Sequence, residues 1–370
     1  MGRISIAFPV FNGNEKKYLN ECIDSGWISA NGRFVEEFEN KFAELCGCKY
    51  AVACSNGTVS LHLILVALGI GEGDEVIMPD LTYIATANAV RYCGAVPIFV
   101  DSDKNSFNID VTKVEEKITK HTKAIMPVHL YGLPAQMDEI VRIADKYNLL
   151  IIEDAAEAHA AKYKNQTVGS FGNAASFSFF GNKVITCGEG GMVTTNDSNL
   201  YKRLKLLRGQ AVSPDKKYWH IDVGYNYRMT NMQAAVGLAQ LENIEWHLKE
   251  RKRVASLYTK YLGNKKDYVL MQMVPEDCES VYWMSNVILQ DKVKLERDEV
   301  MSRMEAHDIE MRPVFYPMHI MPPYYDESVV APNAEYIAKR GISLPSHASL
   351  KEEDVEYICN CLLEIICEEK

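Results

Sequence analysis

Residues 124–153 read AIMPVHLYGLPAQMDEIVRIADKYNLLIIE, two apolar runs either side of a helical pattern. AIMPV and LLIIE show no polar alternation, so Ala124–His129 and Leu149–Glu153 read as strands covered on both faces. Met137–Tyr147 between them reads as a helix. The unit repeats upstream. Strands are predicted at Tyr50–Cys54, Glu75–Met78 and Val96–Val100, with helices at Val59–Leu68, Ala85–Tyr92 and near Val111–Thr119. Strands alternating with helices at this spacing specify an α/β fold with a mostly parallel central sheet. In such sheets ligands bind outside the carboxyl ends of the strands.

Two helices, Asn14–Ser25 and Arg33–Cys46, precede this region, separated by a Gly- and Ser-containing loop with one large aromatic, Trp27. Downstream, ASFSFF and MVTTN add strands, and a helix is expected at Asn199–Arg208. A long helical stretch runs from Thr230 towards Leu262, with room for a break. The pattern then changes to a strand at Tyr282–Leu289, a helix at Leu295–Ala306, a Pro-rich segment Arg312–Tyr325 and a final helix Lys351–Cys367. The expected division is a large domain at 1–245 and a smaller C-terminal α+β domain at 246–370.

The chain has 370 residues, 47% hydrophobic and 24% charged, as in an ordinary globular protein. A formal net charge of −10 argues against a general nucleic-acid binder, and no apolar stretch is long enough to suggest a membrane span. Ten irregularly spaced cysteines without a CxxC, and no signal-peptide region, predict reduced thiols and a cytoplasmic location. Nine histidines lack ligand spacing, so no metal site is expected. Gly69–Gly73 follows a helix rather than a strand, which excludes a dinucleotide fingerprint, and neither GxxxxGK[ST] nor HExxH occurs.

Four strand-end features remain. Asn56-Gly57-Thr58 opens a helix and suits a phosphate, or a plain cap. Asp154 ends an apolar run, where a buried carboxylate needs a partner such as a cationic ring nitrogen or a structural contact. Tyr83 lies in a strand-end loop and offers a stacking face, or a core tyrosine. Lys183 sits between SFSFFGN and the GEGG turn, with Ser178 five residues before it; alone it reads more readily as a solvated loop lysine. Together a phosphate cradle, a strand-end acid, a flat aromatic and a turn lysine match the needs of pyridoxal phosphate.

The blocks EDAAEAH (153–159), SFSFFGNK (176–183), GEGGM (188–192) and GYNYRMTNMQAA (224–235) resemble the pyridoxal-phosphate sugar aminotransferases of the DegT family. SNGT, PDLTYIATANAV, PVHLYG and RPVFYPMHIMPPY extend the resemblance from residue 4 to about 350, with the strongest likeness to perosamine synthases. It implies the aminotransferase type I fold and a homodimer with shared active sites. Lys183 would hold the cofactor as a Schiff base and Asp154 would pair with its ring nitrogen. Tyr83 and Ala156 would flank the ring, and Glu157, where many relatives carry Gln, would lie near the ring hydroxyl. Gly57, Thr58 and Ser178 would hold the phosphate, joined by Asn226 of the second subunit. Trp27, Ser29, Arg33, Tyr316 and His319 would touch substrate. The implied reaction moves the amino group of L-glutamate to C4 of a nucleotide-linked 4-keto-6-deoxy sugar. A GDP-linked sugar would give perosamine, and a UDP- or dTDP-linked one viosamine. Dehydratases sharing the fold carry His at the lysine position, which Lys183 argues against.

Overall fold

The computed structural model describes residues 2–367. After α1 (Glu15–Ser25) and α2 (Arg33–Cys46) come β1 (Tyr50–Cys54), α3 (Gly57–Ala67), β2 (Glu75–Pro79), α4 (Ala85–Tyr92) and β3 (Val96–Val100). β4 (Thr122–Ile125), α5 (Met137–Tyr147), β5 (Leu150–Asp154), β6 (Lys162–Tyr163), β7 (Gln166–Thr167), β8 (Ala174–Ser178) and β9 (Gly191–Thr195) follow. The main sheet has seven strands in the order β1-β9-β8-β5-β4-β2-β3, all parallel except β9, which runs against both its neighbours.

Side-chain alternation along the strands builds three layers. Ile77, Ile125 and Ile151 face α5, packing on Ile140 and Ile143. Val76, Ala124 and Ile152 point the other way, into a core with Leu61 and Ile64 of α3, Val90 of α4 and Leu204 of α6 (Ser198–Arg208). Beside the α5 layer, Phe38 and Phe42 of α2 and Leu238 of α7 (Asn231–Glu242) cover Phe177 of β8. Both faces of the sheet are therefore dry, which is why its strands read as unbroken apolar runs.

α7 begins with a capping box, Thr230 against Gln233, and ends at Asn243. There the backbone leaves helical geometry (φ −109°) before α8 (Ile244–Leu262), so the expected long helix is two. The helix expected near 111–119 is only two single 3-10 turns, Val111–Lys113 and Glu115–Lys117. Neither turn buries a residue, and Val114 between them supplies one apolar anchor, too little to hold a helix.

The C-terminal region contributes β10 (Val269–Met271), β11 (Cys278–Glu279), β12 (Ser285–Leu289), α9 (Arg297–Glu305), β13 (Arg312–Pro313), α10 (Pro332–Arg340), β14 (Gly341–Leu344) and α11 (Glu352–Cys367). Strands β10-β12-β14-β13 form an antiparallel sheet, while β11 pairs with β6 beside the large sheet. Val300 of α9, Ile358 of α11 and Val254 and Tyr258 of α8 cover the small sheet. α8 is shared: Ile244 belongs to the large core and Val254 to the small one. The expected boundary at 245 falls at its first residues. Ile4 crosses over as well, bridged to Ile309 and packed in the small core, and Ile6 accepts from the Ser346 amide through its carbonyl at 3.0 Å.

Candidate active site

The parallel order brings the carboxyl ends of β1, β2, β5 and β8 to one edge. Asp154, the last residue of β5, is buried there. One carboxylate oxygen accepts from the Thr86 hydroxyl at 2.8 Å and the other from the Ala156 amide at 3.2 Å. Among the described residues no cation bonds it, and burial raises its pKa against those two hydrogen bonds. Glu153, one residue earlier, does structural work: it accepts from the amides of Gly169, Phe171 and Gly172 and contacts His129.

Lys183 lies in a turn after β8, its amide bonded to the Phe180 carbonyl at 3.0 Å. Its Nζ reaches to 3.5 Å from Glu157 Oε1 and lies 3.8 Å from the centre of the Trp283 ring. The carboxylate contact is longer than an ordinary charge-assisted hydrogen bond. Burial lowers the Lys183 pKa, opposed by Glu157 and Asp154. Burial likewise pushes Glu157 up to about 7, although its other oxygen accepts from the Tyr131 amide at 2.7 Å. Burial drives both groups towards their neutral forms, which favours the free amine that a nucleophile or base requires.

Gly57, Thr58 and Ser178 meet at the start of α3. Asn56 caps the helix by accepting from the Val59 amide, while the Gly57 and Thr58 amides have no carbonyl within the helix to bond. A Cβ on Gly57 would stand 2.8 Å from Ser178 Cβ, so the helix end approaches Ser178 only because that side chain is missing. This is a cradle for an anion. Tyr83 is 58% exposed and heads an aromatic series: its ring centre is 5.6 Å from Phe315, which stacks at 5.2 Å on Tyr131, itself stacked at 6.1 Å on Trp283. Ala156 is half-buried, two residues beyond Asp154.

The residues expected to touch substrate are placed less uniformly. Trp27 is exposed, and the Ser29 carbonyl accepts from the Asn231 amide at 2.8 Å. Arg33 is committed elsewhere, bidentate to Glu21 and bonded to Glu37 while lying over Phe34. His319 is buried, with Nδ1 at 2.5 Å from Asp80, which also accepts its amide. The Tyr316 hydroxyl accepts from Arg297 at 2.9 Å and lines a cavity of about 380 Å³ with Ile320 and Glu335. Asn226 is exposed, bridged to Gly209.

Tyr131, Thr86, Trp283 and Asn231 are site neighbours that the sequence reading missed. Only Tyr131 had a local signal, the Tyr131-Gly132 pair within PVHLYG, where both residues take positive φ. The donor set fits pyridoxal phosphate: an unmatched buried carboxylate, a buried lysine, an anion cradle and an exposed aromatic face.

Comparison with known proteins decides the relationship. The profile of the DegT/DnrJ/EryC1/StrS aminotransferase family matches residues 10–363. This chain belongs to that family. Aminotransferases of the family depend on pyridoxal phosphate. This aminotransferase is 51% identical to a GDP-perosamine synthase of Caulobacter vibrioides over 368 residues, 98% of each chain. It is 50% identical to a GDP-perosamine synthase of Escherichia coli O157:H7, covering 98% of this chain and 99% of that one. Among solved structures, the aminotransferase superposes on DesV of S. venezuelae with a TM-score of 0.89 at 34% identity, over 96% of this chain and 95% of that one. Helicobacter pylori PseC gives 0.93 at 26% identity, over 98% and 99%.

Proposed function

We propose that the aminotransferase converts a GDP-linked 4-keto-6-deoxy sugar to the 4-amino sugar, with L-glutamate as amino donor. The observation that carries this reading is full-length identity of about half to two GDP-perosamine synthases, joined to the buried Lys183–Glu157–Asp154 group. The cofactor, when bound, supplies an electron sink that makes the donor's Cα–H acidic. Lys183 would form its covalent attachment, and its freed amine would carry the proton between the donor's Cα and the cofactor carbon. Asp154 would pair with the ring nitrogen and keep it protonated, a match for an acid that burial leaves without a cation. Gly57, Thr58 and Ser178 would hold the phosphate, Tyr83 and Ala156 would flank the ring, and Glu157 would bond the ring hydroxyl.

We further read the protein as a homodimer in which Asn226 of one subunit completes the phosphate site of the other. The exposed apolar side chains Trp219, Ile221 and Val223, just before Asn226, support a covered surface there. Ten free cysteines support a reducing, cytoplasmic setting. Among the described residues no helix is long and apolar enough to cross a membrane.

The test is a screen of GDP-, UDP- and dTDP-linked 4-keto-6-deoxy sugars with glutamate, with product followed by mass spectrometry. Turnover of the GDP sugar at least tenfold above the others is expected; preference for a UDP or dTDP sugar would sink the substrate assignment. Lys183→Ala should lower the glutamate half-reaction by a factor of about 10³ or more. Retained turnover would refute the role of that amine.

A further inference from the structure

Midway along α8, Arg251 is only 5% exposed. A buried guanidinium is ordinarily matched by a carboxylate. Among the described residues Arg251 has none. Its Nη1 donates to the carbonyls of Trp283 and Ser346, both at 3.0 Å, and its Nη2 to the carbonyl of Lys183 at 3.2 Å. Its Nε, and the Nε2 of His247 one turn earlier, are buried without a partner. The three carbonyls belong to separate segments: the lysine turn, the stretch leading into β12, and the loop before α11. Trp283 adds a tie of its own, its indole N–H donating to the Asn182 carbonyl at 2.8 Å.

We propose that Arg251 is a positioning residue for the reaction: it fixes the lysine turn through the Lys183 carbonyl and sets an unmatched positive charge against that turn, which disfavours a second charge on the Lys183 amine. The proposal rests on Lys183 being the reacting amine.

The groups facing Lys183 are Glu157 and Asp154 from the end of β5 and the turn after it, His159 from the same turn, and Arg251 from α8. Burial acts first in lowering the lysine's pKa; the two carboxylates oppose it, and Arg251 acts with it. Three histidines face Arg251, and none relieves or duplicates its charge. His247 and His347 are brought down to about 4 by burial and then by Arg251; His159 is brought down to about 3, by burial and then by Lys183. Arg251 itself falls only to about 10 through burial, so it stays charged at neutral pH. A cation fixed to backbone carbonyls keeps its charge through the neutral range, so its contribution at the amine stays constant while that of Glu157 changes as its carboxyl titrates.

The experiment uses the full-length chain freed of pyridoxal phosphate. Acetic anhydride labelling of the Lys183 peptide, read by mass spectrometry across the lysine titration range, gives the midpoint of that amine. Arg251→Gln should raise the midpoint by about one unit, which is about tenfold slower labelling near neutrality. His247→Glu places a carboxylate one turn from the guanidinium while leaving its carbonyl bonds, and should raise the midpoint too. Arg251→Lys, which keeps a charge, should leave it low. A purely structural arginine would alter melting but not the midpoint. An unmoved midpoint in either neutralising variant overturns the proposal, and His247→Glu alone decides it if Arg251→Gln does not fold. Absence of a borohydride-fixed cofactor adduct on Lys183 would instead overturn the functional reading, since the labelling reports on Arg251 regardless.

Discussion

Glu157 occupies a position whose chemistry changes with pH. Its pKa stands near 7 in the folded chain against an ordinary 4.5, burial being the main cause. A raised acid stabilises the fold fully below about 4.5, and that contribution is lost as pH rises through about 7. Glu157→Gln removes the dependence while keeping an acceptor for the Tyr131 amide. The cofactor-free variant should therefore gain on its parent in melting temperature between pH 5 and pH 8, by a few degrees. Thermal melts at the two pH values check this, and a constant difference would contradict it. At this scale the sequence was readable where one residue at a strand end carries the chemistry, as Asp154 and Lys183 do. It was opaque where a role depends on who else arrives. Arg33 and His319 look like free polar groups in the sequence, yet Glu21 across the intervening loop occupies the first and Asp80, 239 positions away, the second. Trp283 and Arg251 reach Lys183 from about 70 to 100 positions away, a distance no local pattern encodes.

Among elements, the start of α7 does more than pack. Asn231 donates to the Trp27 carbonyl at 2.6 Å and accepts from the Phe34 amide at 3.0 Å, holding both ends of the loop between α1 and α2. Gly32 permits this, because a Cβ there would fall 1.9 Å from the Asn231 side chain. Asn231→Ala leaves a buried amide without its acceptor and should cost about 2–3 kcal/mol of stability. If that loop meets the sugar, KM for the nucleotide sugar should rise several-fold while the glutamate half-reaction keeps its rate. Steady-state and single-turnover kinetics separate the two. The main sheet's strands and long helices were legible because burial on both faces leaves continuous apolar runs. The 3-10 turns at 111–117 were not, since a short mixed segment satisfies a helical pattern without having an apolar face to anchor it.

For the whole molecule, the proposed shared site makes a quantitative claim. Mixing inactive Lys183→Ala with inactive Asn226→Ala should restore about a quarter of parental activity, because half the dimers are mixed and each has one intact site. Failure to regain activity after subunit exchange would count against sharing. Division into two units has a similar test. Ile4 fills the small core, and Val281, Trp283 and Met284 fill the large one. A fragment of residues 246–370 should therefore not fold alone, as amide exchange would show.

The pairing of Ile4 with Ile309 also has a cost during synthesis. Ile4 and Ile6 leave the ribosome well ahead of the segment at 309–310 that receives them. Ile6 and Glu310, bonded in the finished protein, are separated by 304 positions. At roughly 5–20 residues per second, that leaves two isoleucines uncovered for about 15–60 s, long enough for a chaperone to be their first partner.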